Sequence, residues 1–292
     1  MTWKKRQQFT GYLFLAPYAL SFLVFIVLPI FVALVLSVMQ FDLTATEQIK
    51  FVGTQNFTDA WKDDYVKQAM VATARYVLLF VPSLLVLSLA MAVGLSAVKR
   101  GRNLFRGLVF LPGIFTIAVT AILWQFFYNL EFGFFNWVIK QFGGTAVPWL
   151  SEKSLAMPSI VLMSLWWLSG GTAVILLASL QQIPTMYHEA AALDGAGSWK
   201  TFSKITMPLI KPVLLFTVLT NTIGAFQVFP QASLLTQGGP ELSTRGTVQY
   251  IYEIAFQQYR LGYAAAISWM LTAVIMVFGI AQFVAMRRNS TP

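Results

Sequence analysis

The chain is 292 residues long, 57% hydrophobic and only 11% charged, with a formal net charge of +9. Soluble domains carry about 25% charged residues, so this composition excludes an ordinary soluble protein. The sequence contains no cysteine, which excludes disulfides, thiolate metal sites and thiol catalysis.

Six apolar stretches are long enough to cross a bilayer, since a helical span needs about 20 apolar residues. They cover residues 11–39, 71–98, 107–129, 155–180, 212–235 and 261–286. Each is predicted to be helical, because unpaired backbone groups cannot face lipid, and the long runs lack the alternation of a β-barrel. The sequence predicts an all-α membrane protein in which 11–292 is one transmembrane domain with six transmembrane helices.

The first apolar run is expected to remain in the protein as a transmembrane span. It is far longer than the roughly 7–15 apolar residues of a secretory signal, and no small-residue cleavage site follows it.

Cations are distributed unevenly between the two sides of the predicted spans. The side with both termini and the segment 181–211 has twelve cations and two acids, whereas the other has eight cations and nine acids. The twelve are Lys4, Lys5, Arg6, Lys99, Arg100, Arg102, Arg106, Lys200, Lys204, Lys211, Arg287 and Arg288. The positive-inside rule therefore predicts that the N-terminal segment 1–10, the C-terminus and the 181–211 loop are cytoplasmic. The basic charge suits anionic lipid, and no nucleic-acid partner is expected.

The cytoplasmic loop 181–211 has the pattern of two short helices joined by a turn. Alanines favour a first helix after Pro184, and Gly195 permits a sharp turn. Ser198 is placed to cap a second helix, which we expect Pro208 to stop. Trp199 and Phe202 would supply apolar contacts. The residues alone leave two interpretations open: a knob that contacts another protein, or a helix on lipid headgroups.

The segment 189–208 resembles the EAA loop of permease subunits of bacterial binding-protein-dependent ABC importers. The pattern is E-A-A, three residues, G, nine residues, I, one residue and L-P, and here Met207 replaces the leucine. The matching residues are Glu189, Ala190, Ala191, Gly195, Ile205 and Pro208, and Asp194 and Ala196 are also common choices. The resemblance implies that the loop docks in a groove of an ATPase subunit. Glu189 and Asp194 would then meet basic groups, and Trp199 or Phe202 would fill pockets.

Further motifs resemble the carbohydrate uptake permeases, in particular the subunit type of the maltose and glycerol-3-phosphate systems. They are Phe51-Val52-Gly53 with Asn56-Phe57, Leu235-Thr236-Gln237-Gly238-Gly239-Pro240 with Thr244, and Tyr252, Ala255-Phe256 and Gly262-Tyr263-Ala264 with Ala266 and Ser268. This resemblance implies the type I ABC importer permease fold in the bacterial inner membrane. It also implies a second, homologous permease subunit, two ATPase subunits, an extracytoplasmic solute-binding protein and a sugar substrate. The large extracytoplasmic insertion of the enterobacterial maltose subunit is absent.

The chain itself is not expected to be an enzyme or to bind a cofactor or metal. It has no phosphate-binding G-x-x-x-x-G-K-[ST] loop, so ATP and Mg would be used by the partner ATPase. Leu168-Ser169-Gly170-Gly171 superficially resembles an ATPase signature but lies in a span, where small residues favour helix packing. The only histidine, His188, has no partners for catalysis. A secondary transporter is the less favoured alternative, because the spans hold almost no ionisable groups.

The predicted substrate path follows the fifth span. Asn221, Gly224, Gln227 and Gln231 are spaced three, three and four apart, which puts them on one face of a continuous helix. Sugars bind through hydrogen bonds and by stacking on rings, and the other path candidates are Tyr128, Tyr263, Trp124, Gln125, Phe226, Phe229 and Ser268. The alternative role for such residues is hydrogen bonding between helices.

An uncharged mono- or oligosaccharide is the first choice of substrate. A sugar phosphate, polyol or acidic oligosaccharide is the alternative, for which Arg75, Arg245 and Arg260 lie on the extracytoplasmic side.

Overall fold

The computed structural model describes residues 3–42, 49–98 and 100–288, and gives only the backbone course for 3–10, 102 and 286–288. The side chains of seven cations in the charge argument therefore lie outside the described residues: Lys4, Lys5, Arg6, Lys99, Arg102, Arg287 and Arg288.

Helices form most of the described chain. In order, they are α1 (Trp3–Phe22), a π turn (Leu23–Val27), α2 (Leu28–Ser37), α3 (Gln55–Lys62), α4 (Asp64–Ala97), α5 (Arg102–Phe110), a 3₁₀ turn (Leu111–Ile114), α6 (Ile117–Tyr128), α7 (Phe134–Gln141), α8 (Lys153–Gln181), α9 (Thr185–Leu193), α10 (Ser198–Thr201), a π turn (Phe202–Thr206), α11 (Met207–Phe226), α12 (Pro230–Thr236), α13 (Thr247–Tyr252), a π turn (Glu253–Gln257) and α14 (Leu261–Arg288). Two short strands, β1 (Met39–Gln40) and β2 (Lys50–Phe51), pair antiparallel with Met39 opposite Phe51. The predicted all-α fold is confirmed.

Contacts divide the chain into two compact units, the first formed by Met1–Asp64 with Ile251–Ala273 and the second by Tyr65–Tyr250 with Val274–Pro292. In the first unit, the Asn56 amide donates hydrogen bonds to the carbonyl oxygens of Ser37 and Met39, both at 2.9 Å. Gly262, at the start of α14, lies so close to the Met39 carbonyl that no side chain would fit there. These contacts hold the β1–β2 hairpin, α3 and the start of α14 together.

Among the described residues of the second unit, two apolar clusters hold the helices together. The larger one joins α4, α6, α8 and α12 through buried residues that include Tyr76, Trp124, Ile160 and Leu235. The smaller one joins the later parts of α4 and α8 to α11, and its buried members are Ala92, Leu95, Leu176, Leu177, Ile210 and Leu214. These two clusters fix the helices that carry the predicted path residues Tyr128, Asn221, Gly224 and Gln231.

Within the described residues, five helices are long and apolar enough to cross a membrane, and a bent pair brings the number to six if the pair forms one span. The five are Gly11–Ser37, Asp64–Ala97, Lys153–Gln181, Ser198–Phe226 and Leu261–Ala285. The bent pair, Asn103–Ile114 and Ile117–Tyr128, meets at 94°.

The prediction of an uninterrupted third span over 107–129 is therefore wrong. Pro112 lies at the start of the 3₁₀ turn, and Thr116 then caps α6 by accepting a hydrogen bond from the Val119 N–H at 3.4 Å. The Trp167 indole N–H donates to the Phe115 carbonyl oxygen at 2.9 Å, which satisfies a backbone group that the bend leaves free.

The fifth span also differs from the predicted 212–235. The helix runs from Ser198 to Phe226 and ends at Gln227, and α12 begins at Pro230. Proline has no N–H to donate, and it disfavours a helical conformation for the residue before it, here Phe229. The apolar run is therefore broken into two helices.

The expectation that Pro208 stops the preceding helix is wrong as well. In the π turn at Phe202–Thr206, the Met207 N–H bonds to the Phe202 carbonyl oxygen, five residues back. A regular α-helix would bring a carbonyl against the proline ring. The wider π turn shifts these carbonyls, so that the helix continues through Pro208 into the span.

Candidate functional site

The loop between α8 and the fifth span forms two helical segments joined by a tight turn, as predicted. Pro184 occupies the N-cap position of α9, which ends at Leu193 with Asp194 as its C-cap. Gly195 follows with φ +68°, the left-handed conformation that glycine adopts at no steric cost. The Ala196 N–H donates to the Ala191 carbonyl oxygen at 2.9 Å, which closes the turn.

The predicted cap of the second segment is displaced by one residue. Gly197, with φ −69° and ψ 162°, is the N-cap, and Ser198 is already the first helical residue. Glycine is a common N-cap because it adopts the extended conformation readily. The segment formed by α9, α10 and the π turn that follows, residues 185–206, is called the coupling-loop candidate below.

Most motif residues of the coupling-loop candidate are exposed. Glu189, Ala190 and Asp194 face outward, whereas Ala191 is buried, with 4% of its surface exposed. Ile205 is half-buried and Pro208 is exposed. The structure therefore presents the two acidic residues of the motif on an accessible surface.

Large apolar side chains stand out from the same segment. Trp199 is 77% exposed and packs against half-buried Phe202, with 5.8 Å between ring centroids. Leu193, which the sequence analysis did not select, is 91% exposed at the end of α9. The sequence feature that could have identified Leu193 is the position of a large apolar residue immediately before the polar Asp-Gly turn. His188 lines a shallow groove with Ser198 and Phe202, and among the described residues no cluster of three or more metal-ligating side chains occurs.

The four predicted path residues of the fifth span do not share one helical face. Asn221 and Gly224 lie on α11, Gln227 is its exposed C-cap, and Gln231 lies on α12 beyond the break. The Asn221 amide donates to the Thr217 carbonyl oxygen of its own helix at 2.8 Å. The single-face prediction is wrong because residues spaced three, three and four apart share a face only on a continuous helix. Whether these residues contact substrate stays a prediction.

Of the other path candidates in the second unit, Tyr128, Trp124 and Phe226 are buried, whereas Gln125 is exposed. Tyr128 is buried and donates to the Ser159 carbonyl oxygen at 2.9 Å, and Trp124, also buried, lies 5.3 Å from the Tyr128 ring. Gln125 donates to the Leu234 carbonyl oxygen at 2.6 Å. The Phe226 and Phe278 rings are tilted against each other with their centroids 5.2 Å apart, and Phe229 is the half-buried residue before Pro230.

The remaining two candidates lie in the first unit. The Tyr263 hydroxyl donates to an Asp63 carboxylate oxygen at 2.8 Å, and the Arg260 guanidinium lies 4.6 Å from the Tyr263 ring centroid. The Ser268 hydroxyl donates to the Ala264 carbonyl oxygen of its own helix.

Two of the three arginines proposed for an acidic substrate, Arg245 and Arg260, are stacked on tyrosine. Arg245 is 8% exposed, and its guanidinium lies 4.6 Å from the Tyr250 ring centroid and 5.2 Å from that of Tyr65. Arg260 stacks on Tyr263, as described above. Such cation–π contacts stabilise a guanidinium within the protein. Arg75 is exposed on α4.

The Gly-Gly-Pro loop is a rigidly bonded turn. The Thr236 and Thr244 hydroxyl oxygens are 2.7 Å apart, and the Gly239–Pro240 peptide is cis. Lys153 donates to a Glu241 carboxylate oxygen at 2.8 Å. This hydrogen bond and the charge of Lys153 hold the pKa of the Glu241 carboxyl below its ordinary value.

Residues 84–290 match the family of the inner membrane component of binding-protein-dependent transport systems. The chain belongs to this family, which confirms the predicted permease class and location in the bacterial inner membrane.

Individual relatives agree with this assignment. The lactose transport system permease protein LacF of Rhizobium radiobacter is 33% identical over 98% of this chain and 97% of its own length. The trehalose/maltose transport system permease protein MalF of Thermococcus litoralis is 32% identical over 95% of this chain and 93% of its own. A crystal structure of a bacterial alginate ABC transporter matches with a TM-score of 0.88 at 21% identity, over 99% of this chain and 98% of that one. This last match shows the fold.

Proposed function

We propose that this chain is a permease subunit of an ATP-driven importer of an uncharged sugar or oligosaccharide, and that residues 185–206 couple it to an ATPase. The observation that carries the proposal is the exposed helix–turn–helix of the coupling-loop candidate. It displays Glu189 and Asp194 beside two large exposed apolar side chains, Leu193 and Trp199. Buried aromatic and apolar side chains supply much of the affinity of protein interfaces, so these residues suit a protein partner.

ATP and Mg are assigned to the partner ATPase rather than to this chain. Its sequence lacks a phosphate-binding loop, and its described residues hold no metal-ligand cluster. Segment 1–10, the C-terminus and the coupling-loop candidate would then share the cytoplasmic side, in keeping with the excess of cations there.

The other proposed partners are a second, homologous permease, a second ATPase subunit and an extracytoplasmic solute-binding protein. The exposure of the first apolar span, Gly11–Ser37, supports a second permease. No residue in the most apolar stretch of this span is buried against the rest of the chain. Lipid and a second subunit would together cover this surface. The family's description names transport that depends on a binding protein.

A neutral sugar is favoured on two grounds. Relatives over nearly the whole chain are named for lactose and for trehalose and maltose. Arg245 and Arg260, the cations that a phosphorylated or acidic sugar would use, are stacked on tyrosines within their own units. A sugar phosphate, polyol or acidic oligosaccharide remains the second candidate, with exposed Arg75 as its cation.

Reconstitution of the complex in proteoliposomes tests this function. We expect ATP hydrolysis and uptake to rise together when the binding protein carries a neutral sugar from a panel of mono- and oligosaccharides. Stimulation by a sugar phosphate or acidic oligosaccharide alone would favour the second candidate. Uptake driven by a proton or sodium gradient without ATP would identify a secondary transporter and contradict the proposal.

A further inference from the structure

Helix α7 and its flanking residues present a continuous aromatic surface. Phe132, Phe134 and Trp137 are 61%, 49% and 57% exposed. Their rings form a chain of contacts with Phe126 and Phe127 of α6. The centroid distances are 5.7 Å for Phe126–Phe132, 6.3 Å for Phe126–Phe127, 5.9 Å for Phe127–Phe134 and 6.3 Å for Phe134–Trp137. We call Phe126, Phe132, Phe134 and Trp137 the aromatic face.

The opposite side of α7 is fixed to the rest of the second unit. Asn136 is completely buried, and its amide nitrogen donates to the carbonyl oxygens of Asn129 and Val147 at 3.2 and 3.0 Å. Its amide oxygen accepts the Val147 N–H at 2.8 Å. Phe135 packs on Tyr128 at 5.4 Å. A fully bonded polar side chain of this kind fixes the orientation of the helix, so the aromatic face is held outward.

The position of α7 in the chain puts this face at a membrane boundary. It lies between the end of α6 at Tyr128 and the start of α8 at Lys153, two apolar helices of the predicted spans. The aromatic face continues directly onto α6 through Phe126, whose neighbour one turn earlier, Ile122, is 67% exposed. Charged Lys140 is exposed beside the aromatic face, and its ammonium lies 3.5 Å from the Glu131 carbonyl oxygen.

We propose that α7 lies in the plane of the membrane interface, with its aromatic face in the headgroup region of the phospholipids. α7 precedes the start of α8, whereas the coupling-loop candidate follows the end of α8. Because α8 is a predicted span, the aromatic face lies in the leaflet opposite the coupling-loop candidate. Amphipathic aromatic rings favour this depth, and a short helix with one apolar face lies flat there. Asn136 makes the anchor rigid, so that the segment 130–152 keeps a fixed height above the lipid.

The absence of native cysteines allows a direct test of depth. Gln141 is exposed four residues after Trp137, and a nitroxide on Gln141→Cys would report from the aromatic face with every ring intact. The same label on Ser151→Cys, exposed in the polar turn before α8, is the matched control. The measurement compares relaxation by oxygen, which partitions into lipid, with relaxation by a water-soluble nickel chelate. It uses the whole complex reconstituted in phosphatidylcholine–phosphatidylglycerol vesicles.

We expect oxygen to dominate at Gln141→Cys and the nickel chelate to dominate at Ser151→Cys. Adding Phe134→Ser and Trp137→Ser should shift the Gln141→Cys label towards the chelate, while the Ser151→Cys label stays unchanged. Equal chelate access at both sites would overturn the proposal. Protection of Gln141→Cys from both reagents would also overturn it, since that result would mean that another protein subunit covers the face.

Discussion

At the residue scale, two glycines of the coupling-loop candidate differ in the backbone conformation that they adopt. Gly195 has φ +68°, whereas Gly197 has φ −69°, and no atom lies within 4 Å of a Cβ built on either one. Steric space is therefore equal at the two positions, and backbone strain alone distinguishes them. This pair separates the effect of the turn geometry from the effect of adding a methyl group.

Gly195→Ala should weaken coupling, whereas Gly197→Ala should not. The left-handed conformation costs an L-residue about 1–2 kcal/mol, so the alanine at position 195 would favour a different turn and misplace Trp199 relative to α9. We expect lower uptake and weaker sugar-stimulated ATPase activity for Gly195→Ala, with membrane insertion unchanged. Gly195→Pro should have a larger effect, because proline cannot adopt positive φ. Wild-type coupling in Gly195→Ala would contradict this role for the turn.

The Lys153–Glu241 ion pair predicts a pH dependence of stability. Because the folded protein lowers the pKa of the Glu241 carboxyl, the stabilisation is fully present above the ordinary pKa of about 4.3. It is lost as the pH falls through the lowered pKa. Glu241→Gln should therefore lower the thermal midpoint at pH 7. The effect should be small because both side chains are largely exposed, and the difference from the wild-type midpoint should disappear in acid. A difference in thermal midpoint that grows as the pH falls would contradict this role of the ion pair.

At the element scale, close packing of α8 against α5 depends on one glycine. A Cβ on Gly170 would overlap the Val109 carbonyl oxygen, whereas a Cβ on the adjacent Gly171 meets no atom within 4 Å. This confirms that the Leu168–Gly171 segment serves helix packing. It also gives a matched pair of substitutions in one helix.

Gly170→Ala should destabilise the protein, and Gly171→Ala should be tolerated. Overpacking costs roughly 1–3 kcal/mol, and here the clash is with backbone, which has little freedom to move away. The thermal midpoint of the purified complex measures this directly. Equal midpoints for the two variants would show that α5 and α8 are not in close contact.

The break after α11 makes Gln227 the most informative predicted path residue. As an exposed C-cap between two helices, its side chain is available to a ligand. Gln227→Ala should lower sugar uptake while complex assembly and basal ATPase activity survive. Thr220→Ala is the control, because exposed Thr220 bonds to the carbonyl oxygens of Phe216 and Thr217 on its own helix. Unchanged uptake kinetics in Gln227→Ala would remove this residue from the path.

Sequence patterns predicted the elements far better than their interruptions. Apolar run length located the candidate spans but not the bend within the third or the end of the fifth. The spacing from Glu189 to Pro208 identified the coupling-loop candidate. Pro230 indicates a break in the sequence, since proline disfavours helix in the residue before it. The continuous apolar composition of 212–235 nevertheless predicts a single span. The bend at Phe115 depends on a hydrogen bond from Trp167, a residue far away in the chain, and the passage through Pro208 depends on a π turn. Such tertiary and backbone adjustments leave no periodic signal.

At the scale of the whole molecule, helix α8 separates two exposed surfaces, the coupling-loop candidate and the region of α7. The coupling-loop candidate follows the end of α8, whereas α7 and Phe142 precede its start, so the two surfaces lie at opposite ends of one span. Phe142 is 88% exposed and Leu193 is 91% exposed, so both positions accept a cysteine without disturbing a core. This arrangement allows one measurement to test both sidedness and partner.

That measurement is cysteine cross-linking in the assembled complex. Leu193→Cys and Trp199→Cys, treated with a short heterobifunctional reagent that also reacts with amines, should each form a covalent adduct with the ATPase subunit. Phe142→Cys should form none with it and should instead react with an impermeant maleimide added to intact cells. Reaction of Leu193→Cys and Trp199→Cys with that external maleimide, or the absence of any adduct with the ATPase subunit, would contradict the assignment of residues 185–206 as the coupling loop.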